Sequence, residues 1–242
     1  MALPLNTTPT YNLVVPSTNE TIKFRPFLVK EQKALLLAQQ SEDAKVMLDT
    51  LKSIIKTSVT SKIDIDSLSL FDIEYIFLKL RAKSVGEEIE LALKCPEEHG
   101  SEEANKKAMV NVKINIEDIK IEQSPNHTNK IPLFNDVGVV MKYPSLETIN
   151  KFQNVKSNDP SLVFDIIAES IDYIYDNEEL YYIKDQSKAE VREFIDNLTS
   201  DQFQKVQSFF DTMPKLSHTL KYDCPVCGKH NEVKLEGLDS FF

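Results

Sequence analysis

The sequence predicts an α+β fold, in which small antiparallel hairpins and amphipathic helices occupy separate stretches of the chain. Two observations support this class. Runs of alternating apolar residues, bounded by turn residues, lie near both ends and in the middle of the chain. Between them, apolar residues recur with the 3.6-residue period of helices that bury one face. With 242 residues, the chain is long enough to bury one substantial core or two smaller ones.

The N-terminal part is expected to form a hairpin followed by three helices. Residues 11–15 and 21–24 are apolar or alternating, and they flank the turn sequence Pro16–Asn19. The helical stretches that follow are rich in Leu, Ile and Ala, and Ser and Asp residues lie at the N-terminal ends of the second and third. We predict these helices at 29–40, 44–59 and 69–83.

Three extended stretches are predicted in the middle of the chain. Residues 87–94 and 109–121 alternate in polarity and form a second hairpin, whose connection is the polar loop 95–107. Residues 131–143 form a third extended stretch. The whole segment 1–143 is therefore expected to hold the N-terminal hairpin, the helices and the first of two cysteine-bearing hairpins.

After Pro144 the pattern becomes helical and acidic. Asp159–Pro160 is typical of a helix start, and the apolar face that follows continues to Ile174. Two S/T-x-x-E/Q capping boxes then begin two further helices. We therefore predict an acidic helical region over 144–213, which offers a surface for a basic partner. Residues 214–242 return to β structure and form a second cysteine-bearing hairpin that packs on the N-terminal half.

Composition excludes several functions. The formal net charge is −10, which opposes binding to a nucleic-acid backbone because such binding depends on Lys and Arg neutralising phosphates. Only 5 glycines are present, and no Gly-rich phosphate loop is found among them. No apolar stretch approaches the about 20 residues of a membrane-spanning helix. The 3 cysteines are an odd number, which argues against a disulfide framework and indicates a reducing cytoplasm.

The strongest chemical signal is the turn Cys224-Pro-Val-Cys227-Gly228. Two cysteines at this spacing can both point at one metal ion. The remaining cysteine, Cys95, lies in a similar turn, in which His99 follows four residues later. Two facing hairpins with one ligand pair each make a zinc-ribbon-like element, and Cys95, His99, Cys224 and Cys227 would hold a structural zinc ion.

The residues leave alternatives to this interpretation. The three cysteines could be ordinary free thiols, and a redox Cys-x-x-Cys pair lacks the βαβ context in which such motifs occur. For the fourth ligand, His230 competes with His99. At the chain end, Phe241 and Phe242 either pack back on the protein or insert into a partner.

Several stretches together resemble a known family. They are Arg25–Glu31 after the first hairpin, Phe71–Glu87, Phe209–Pro214, the Cys224/Cys227 turn and the terminal Gly237–Phe242. The set resembles the baseplate proteins of T-even-type tailed bacteriophages, a family that holds a baseplate hub subunit and a hub assembly factor. The likeness covers nearly the whole chain. The family pattern implies a cysteine pair at both turns, whereas here His99 takes the second position after Cys95.

The resemblance implies a role in tail assembly and no bond-making residues, so we expect no enzymatic activity. The expected partners are other baseplate hub or tail proteins, with the tape-measure protein as one candidate, and no nucleic acid, membrane or small-molecule substrate. We expect the protein in the host cytoplasm during assembly and, as a hub subunit, in the virion tail baseplate. The alternative is a zinc-ribbon accessory protein of nucleic-acid or transcription machinery, which the charge of −10 opposes.

Overall fold

The computed structural model describes residues 7–153, 161–177 and 179–241. The strands are β1 (Tyr11–Val14), β2 (Thr21–Phe24), β3 (Glu88–Lys94), β4 (Met109–Asn115), β5 (Lys120–Glu122), β6 (Lys130–Phe134), β7 (Val137–Met141), β8 (Ile171–Asp176), β9 (Glu179–Tyr182), β10 (Lys215–Asp223) and β11 (His230–Glu236). The helices are α1 (Val29–Ser41), α2 (Ala44–Ser58), α3 (Leu70–Val85), α4 (Glu102–Lys107), α5 (Leu146–Gln153), α6 (Ser161–Ser170), α7 (Lys188–Asp196) and α8 (Ser200–Asp211). This mixture of helices and small antiparallel sheets confirms the predicted α+β class. None of the described helices has the length and apolarity that crossing a bilayer requires.

The chain divides into two compact units. The first comprises 1–63, 71–122 and 215–242, and the second comprises 64–70 and 123–214. Apart from the short segment 64–70, the change from one unit to the other falls after Glu122 and after Pro214, whereas the sequence places region boundaries after 143 and after 213. The reason for the earlier change is that β6 and β7 pair with β8 in one four-stranded sheet.

The first unit packs around α3, whose apolar side chains Ile73, Phe77 and Leu80 are almost completely buried. β1 and β2 pair as the predicted N-terminal hairpin. A main-chain hydrogen bond connects the end of this hairpin to α2. The amide of Arg25, which directly follows β2, donates to the carbonyl of Ser58 at the end of α2, at 2.9 Å. Two further sheets complete the unit, namely β3–β4 and the three-stranded sheet ordered β11-β10-β5.

The predicted run 109–121 is wrong as a single strand. β4 ends at Asn115, whose side chain caps a short 3₁₀ turn over Ile116–Asp118, and β5 follows. β5 pairs with β10 through Leu216 and Ile121 rather than continuing the β3–β4 hairpin. The chain therefore leaves one sheet of the first unit and enters another within a few residues.

The second unit buries one face of its sheet under α6, α7 and α8. Val139 from β7, Ile167 from α6, and Val206 and Phe209 from α8 belong to one buried cluster. The capping boxes at Ser187 and Thr199 form as predicted, since each side-chain oxygen accepts a hydrogen bond from the main-chain N–H three residues on.

Two predictions for the second unit are wrong. Residues 131–143 form the hairpin β6–β7 rather than one extended stretch, because Asn135 adopts a left-handed turn conformation with φ of 47°. The expected helical face up to Ile174 ends at Ser170, and β8 begins with the next residue. Its two Ile and two Tyr side chains suit a strand paired on both sides. The predicted helix start at Asp159–Pro160 lies outside the described residues.

Candidate metal centre

Two turns of the first unit present the four candidate ligands. In the turn between β10 and β11, the Gly228 amide donates to the Cys224 carbonyl and the Cys224 amide donates to the Lys229 carbonyl, both at 2.9 Å. Gly228 has a φ of +69°, a left-handed conformation that glycine adopts without steric cost. This tight turn directs the side chains of Cys224 and Cys227 to one side.

The second turn follows β3 and contains Cys95 and His99. Asn105 accepts a hydrogen bond from the His99 amide at 2.9 Å, and Ser101 caps the short helix α4. The Cys95 amide donates to the Ala108 carbonyl at 3.4 Å. The polar loop predicted at 95–107 therefore folds into a turn and the short helix α4, which position the side chains of Cys95 and His99.

The four ligand atoms converge on one point. Cys95 Sγ lies 4.0 Å from Cys227 Sγ, and Cys224 Sγ lies 3.5 Å from His99 Nε2. All four atoms lie within 4.8 Å of one another. A tetrahedral zinc ion with ordinary bond lengths separates its sulfur and nitrogen ligands by about 3.5–3.8 Å. The arrangement thus fits a single tetrahedral metal ion with little adjustment.

The surroundings favour a thiolate at this point. Burial raises the pKa of Cys224, but the amides of Val226 and Cys227 and the neighbouring thiols donate to its sulfur, and together they lower its pKa to about 6. A metal ion binds the thiolate form of cysteine. Cys95 and Cys224 are each 2% exposed, whereas Cys227 is exposed at the surface. The centre therefore lies at the edge of the unit, with two ligands well shielded from water.

Contacts outside the ligand set connect the two turns directly. The Tyr222 hydroxyl donates to the Lys94 carbonyl at 2.8 Å, and Lys229 pairs with Glu97. Asn231 approaches Cys95 Sγ with its side-chain nitrogen at 3.9 Å. Sequence reasoning missed these residues, because each pair is far apart in the chain and shares no motif. In the sequence, these contacts were indicated only by the positions of Tyr222 and Asn231, which flank the cysteine turn.

The structure distinguishes between the two candidate histidines. His99 belongs to the converging group, whereas His230 lies on the surface, with its ring 89% exposed and paired with Asp223. This pairing follows from the β10–β11 register, in which Asp223 is opposite His230. His99 is therefore the histidine that could complete the metal site.

The C-terminal residues pack within the first unit, to which they belong. Phe241 is 1% exposed, so its ring packs back on the protein, which is one of the two alternatives for this residue. The preceding turn is held by Glu74, whose side chain accepts a hydrogen bond from the Leu238 amide at 3.1 Å. Phe242 lies outside the described residues. Partner binding by this end of the chain stays a prediction.

Together, the fold and the site define a class of protein: an α+β chain in which two distant hairpins share a Cys₃His group able to hold a metal ion. A family model described as T4 bacteriophage base plate protein matches residues 8–242. The chain therefore belongs to the T4-type baseplate protein family, and the resemblance stated from its sequence motifs is confirmed. Among curated proteins and among solved structures, no match was found.

Proposed function

We propose that this protein is a baseplate hub component, or a factor that assembles the hub, and that it acts through protein–protein contacts around a structural zinc site. The match to the baseplate family over nearly the whole chain is the observation that carries this proposal. It supports other hub or tail proteins as partners, the tape-measure protein among them. It also supports the host cytoplasm as the place of assembly and the virion tail as the destination of a hub subunit.

Zinc is the metal that the ligand chemistry favours. Three thiolates and one imidazole form a standard donor set of structural zinc sites, and the soft sulfur ligands disfavour magnesium or calcium. Four protein ligands fill a tetrahedral coordination sphere, so no position stays open for a catalytic water. This closed set supports a structural role for the metal and a non-enzymatic role for the protein.

The site would also give the C-terminal hairpin a fixed place. Cys95 and Cys227 are 132 positions apart, and closing so long a loop costs several kcal/mol of chain entropy. Zinc binding by such ligands contributes on the order of 10 kcal/mol or more, which exceeds this cost. The metal would therefore hold 214–242 on the N-terminal part of the chain, as we expect for a second cysteine-bearing hairpin that returns to it.

Co-purification tests the function. The tagged protein, produced in phage-infected cells, should co-purify with hub proteins or with the tape-measure protein. Association with none of them would contradict the proposal. Mass spectrometry of purified virions then separates the two roles, because a hub subunit is retained in the particle and an assembly factor is absent from it.

A further inference from the structure

The two edge strands of the four-stranded sheet in the second unit, β6 and β9, differ in how they are protected against pairing with a further strand. At one edge, β6 contains Lys130 and Pro132, and its pairing with β7 is irregular between Pro132 and Phe134. Lysine, proline and bulges are the devices by which natural proteins prevent an edge strand from pairing further. At the other edge, β9 has the sequence Glu-Leu-Tyr-Tyr, with neither lysine nor proline within the strand.

The outer side of β9 is open to solvent. All four of its residues are exposed, with Leu180 at 52%, Tyr181 at 39% and Tyr182 at 40%. Among the described residues, β8 is the one strand that pairs with β9. In an antiparallel ladder, alternate residues direct their N–H and C=O groups away from the paired neighbour. β9 therefore presents both apolar side chains and main-chain hydrogen-bonding groups to an incoming strand.

A cavity begins where β9 ends. Ile183, which directly follows the strand, lines a cavity of about 650 Å³ together with Phe164, Ala168, Val191 and Ile195. At its rim, Arg192 pairs with Asp165 at 2.6 Å. In recognition by strand addition, main-chain hydrogen bonds supply affinity and side-chain pockets supply specificity. The β9 edge offers the main-chain hydrogen bonds, and the cavity offers a pocket for a side chain, both within the second unit.

Charge indicates which kind of strand would bind. The segment 171–185 holds five acidic residues and one basic residue, Lys184; the acidic residues are Asp172, Asp176, Glu178, Glu179 and Asp185. A second copy of the chain would bring two acidic hairpins together, which costs free energy. A segment that carries Lys or Arg beside apolar residues would instead meet complementary charge.

We propose that β9 and the adjacent cavity form a docking site for an extended, basic segment of another baseplate protein. This segment would add as a fifth strand beside β9 and insert an apolar side chain between α6 and α7. The proposal rests on the proposed function, since it names the kind of partner segment through which a baseplate protein would be recruited.

Site-specific cross-linking tests the site directly. The photoreactive residue p-benzoylphenylalanine replaces Tyr181 on the β9 edge or, as a matched control, Phe134 on the β6 edge, which is 41% exposed. In infected cells, we expect cross-linking from position 181 to an apolar peptide with Lys or Arg neighbours in another baseplate protein, and none to that peptide from position 134. Cross-linking to a second copy, or no cross-link in chains that enter hub assemblies, would overturn the proposal.

Charged substitutions at the edge provide the second test. Leu180→Lys combined with Tyr181→Lys should weaken association with the cross-linked partner by about tenfold or more, because lysine blocks strand addition and repels a basic segment. Phe134→Lys should leave association unchanged. Circular dichroism verifies that both variants are folded, as expected for exposed positions. Unchanged association of the double variant would overturn the proposal, whereas absence of the wild-type chain from hub complexes would overturn the proposed function itself.

Discussion

Cys224 Sγ lies 3.5 Å from His99 Nε2, although the two residues are 125 positions apart in the sequence. The contact joins the turn after β3 to the turn between β10 and β11. Because each turn supplies two ligands, neither alone could fill a tetrahedral site. The candidate metal centre is thus a tertiary feature, and loss of a bound ion should affect the two ligand-bearing hairpins more than the second unit.

The ligand set predicts the metal content of variants. Wild-type protein should bind about one zinc ion per chain, and Cys224→Ser and His99→Ala should bind less, since each removes one of four ligands. His230→Ala is the matched control, because His230 is on the surface outside the group. Plasma mass spectrometry measures the zinc. Equal zinc in Cys224→Ser and wild type would contradict the site, and loss in His230→Ala alone would assign the fourth ligand to that residue.

Metal removal should destabilise the two units unequally. A strong chelator should speed hydrogen exchange of the amides in β3, β4, β10 and β11, because zinc binding contributes to folding of the elements that carry the ligands. Amides of α8 in the second unit should keep their protection. Hydrogen exchange followed by mass spectrometry resolves these segments, and re-addition of zinc should restore the slow rates. Equal acceleration in both units would contradict a metal site confined to the first.

The second unit should become less stable below about pH 6.5. His127 Nδ1 lies 3.0 Å from Thr212 Oγ1 and its Nε2 lies 3.0 Å from the Tyr143 hydroxyl, while burial lowers its pKa from 6.5. Below pH 6.5, His127 is protonated in the unfolded chain but still neutral in the folded chain. The free energy of unfolding therefore decreases as the pH falls from 6.5 towards the lowered pKa of His127.

The pH dependence of amide protection in β6 and β7 checks this expectation. Between pH 7.5 and 5, wild-type protection should decrease more steeply than that of His127→Gln, which has no titrating ring. Chemical shifts of the His127 ring report its pKa independently. Identical slopes in the two proteins, or a ring that titrates above pH 6.5, would contradict the assignment.

Gly138 should not tolerate a side chain. A Cβ atom at this position would lie 2.2 Å from the Tyr175 hydroxyl oxygen and 2.5 Å from the Ile131 carbonyl oxygen. We expect Gly138→Ala to destabilise the second unit by about 1–3 kcal/mol, a typical cost of overpacking. Thermal unfolding measures the loss.

A second substitution identifies the obstacle at Gly138. Adding Tyr175→Ala removes the aromatic ring, but the Ile131 carbonyl belongs to the main chain and cannot move aside easily. The double variant should therefore stay less stable than Tyr175→Ala alone. Equal stability of these two proteins would show that the ring was the sole obstacle.

Local sequence patterns were sufficient where the physical cause is local. The N-terminal hairpin, the helices α1, α2 and α3, and the capping boxes at Ser187 and Thr199 depend on residues within a few positions of one another. The same applies to the turn that directs Cys224 and Cys227 to one side. Local patterns failed at β8, because Ile171 and Ile174 fit both a helical face and a strand.

By itself, the sequence determined the fold class, the baseplate family and the residue types able to bind a metal. Tertiary structure alone decided that His99 rather than His230 joins the cysteines, that β5 pairs with β10, and that β9 forms an open edge. The physical reason is that these features depend on pairing between distant segments. Such pairing is selected by the burial of whole sheets and helices, which no single stretch of sequence encodes.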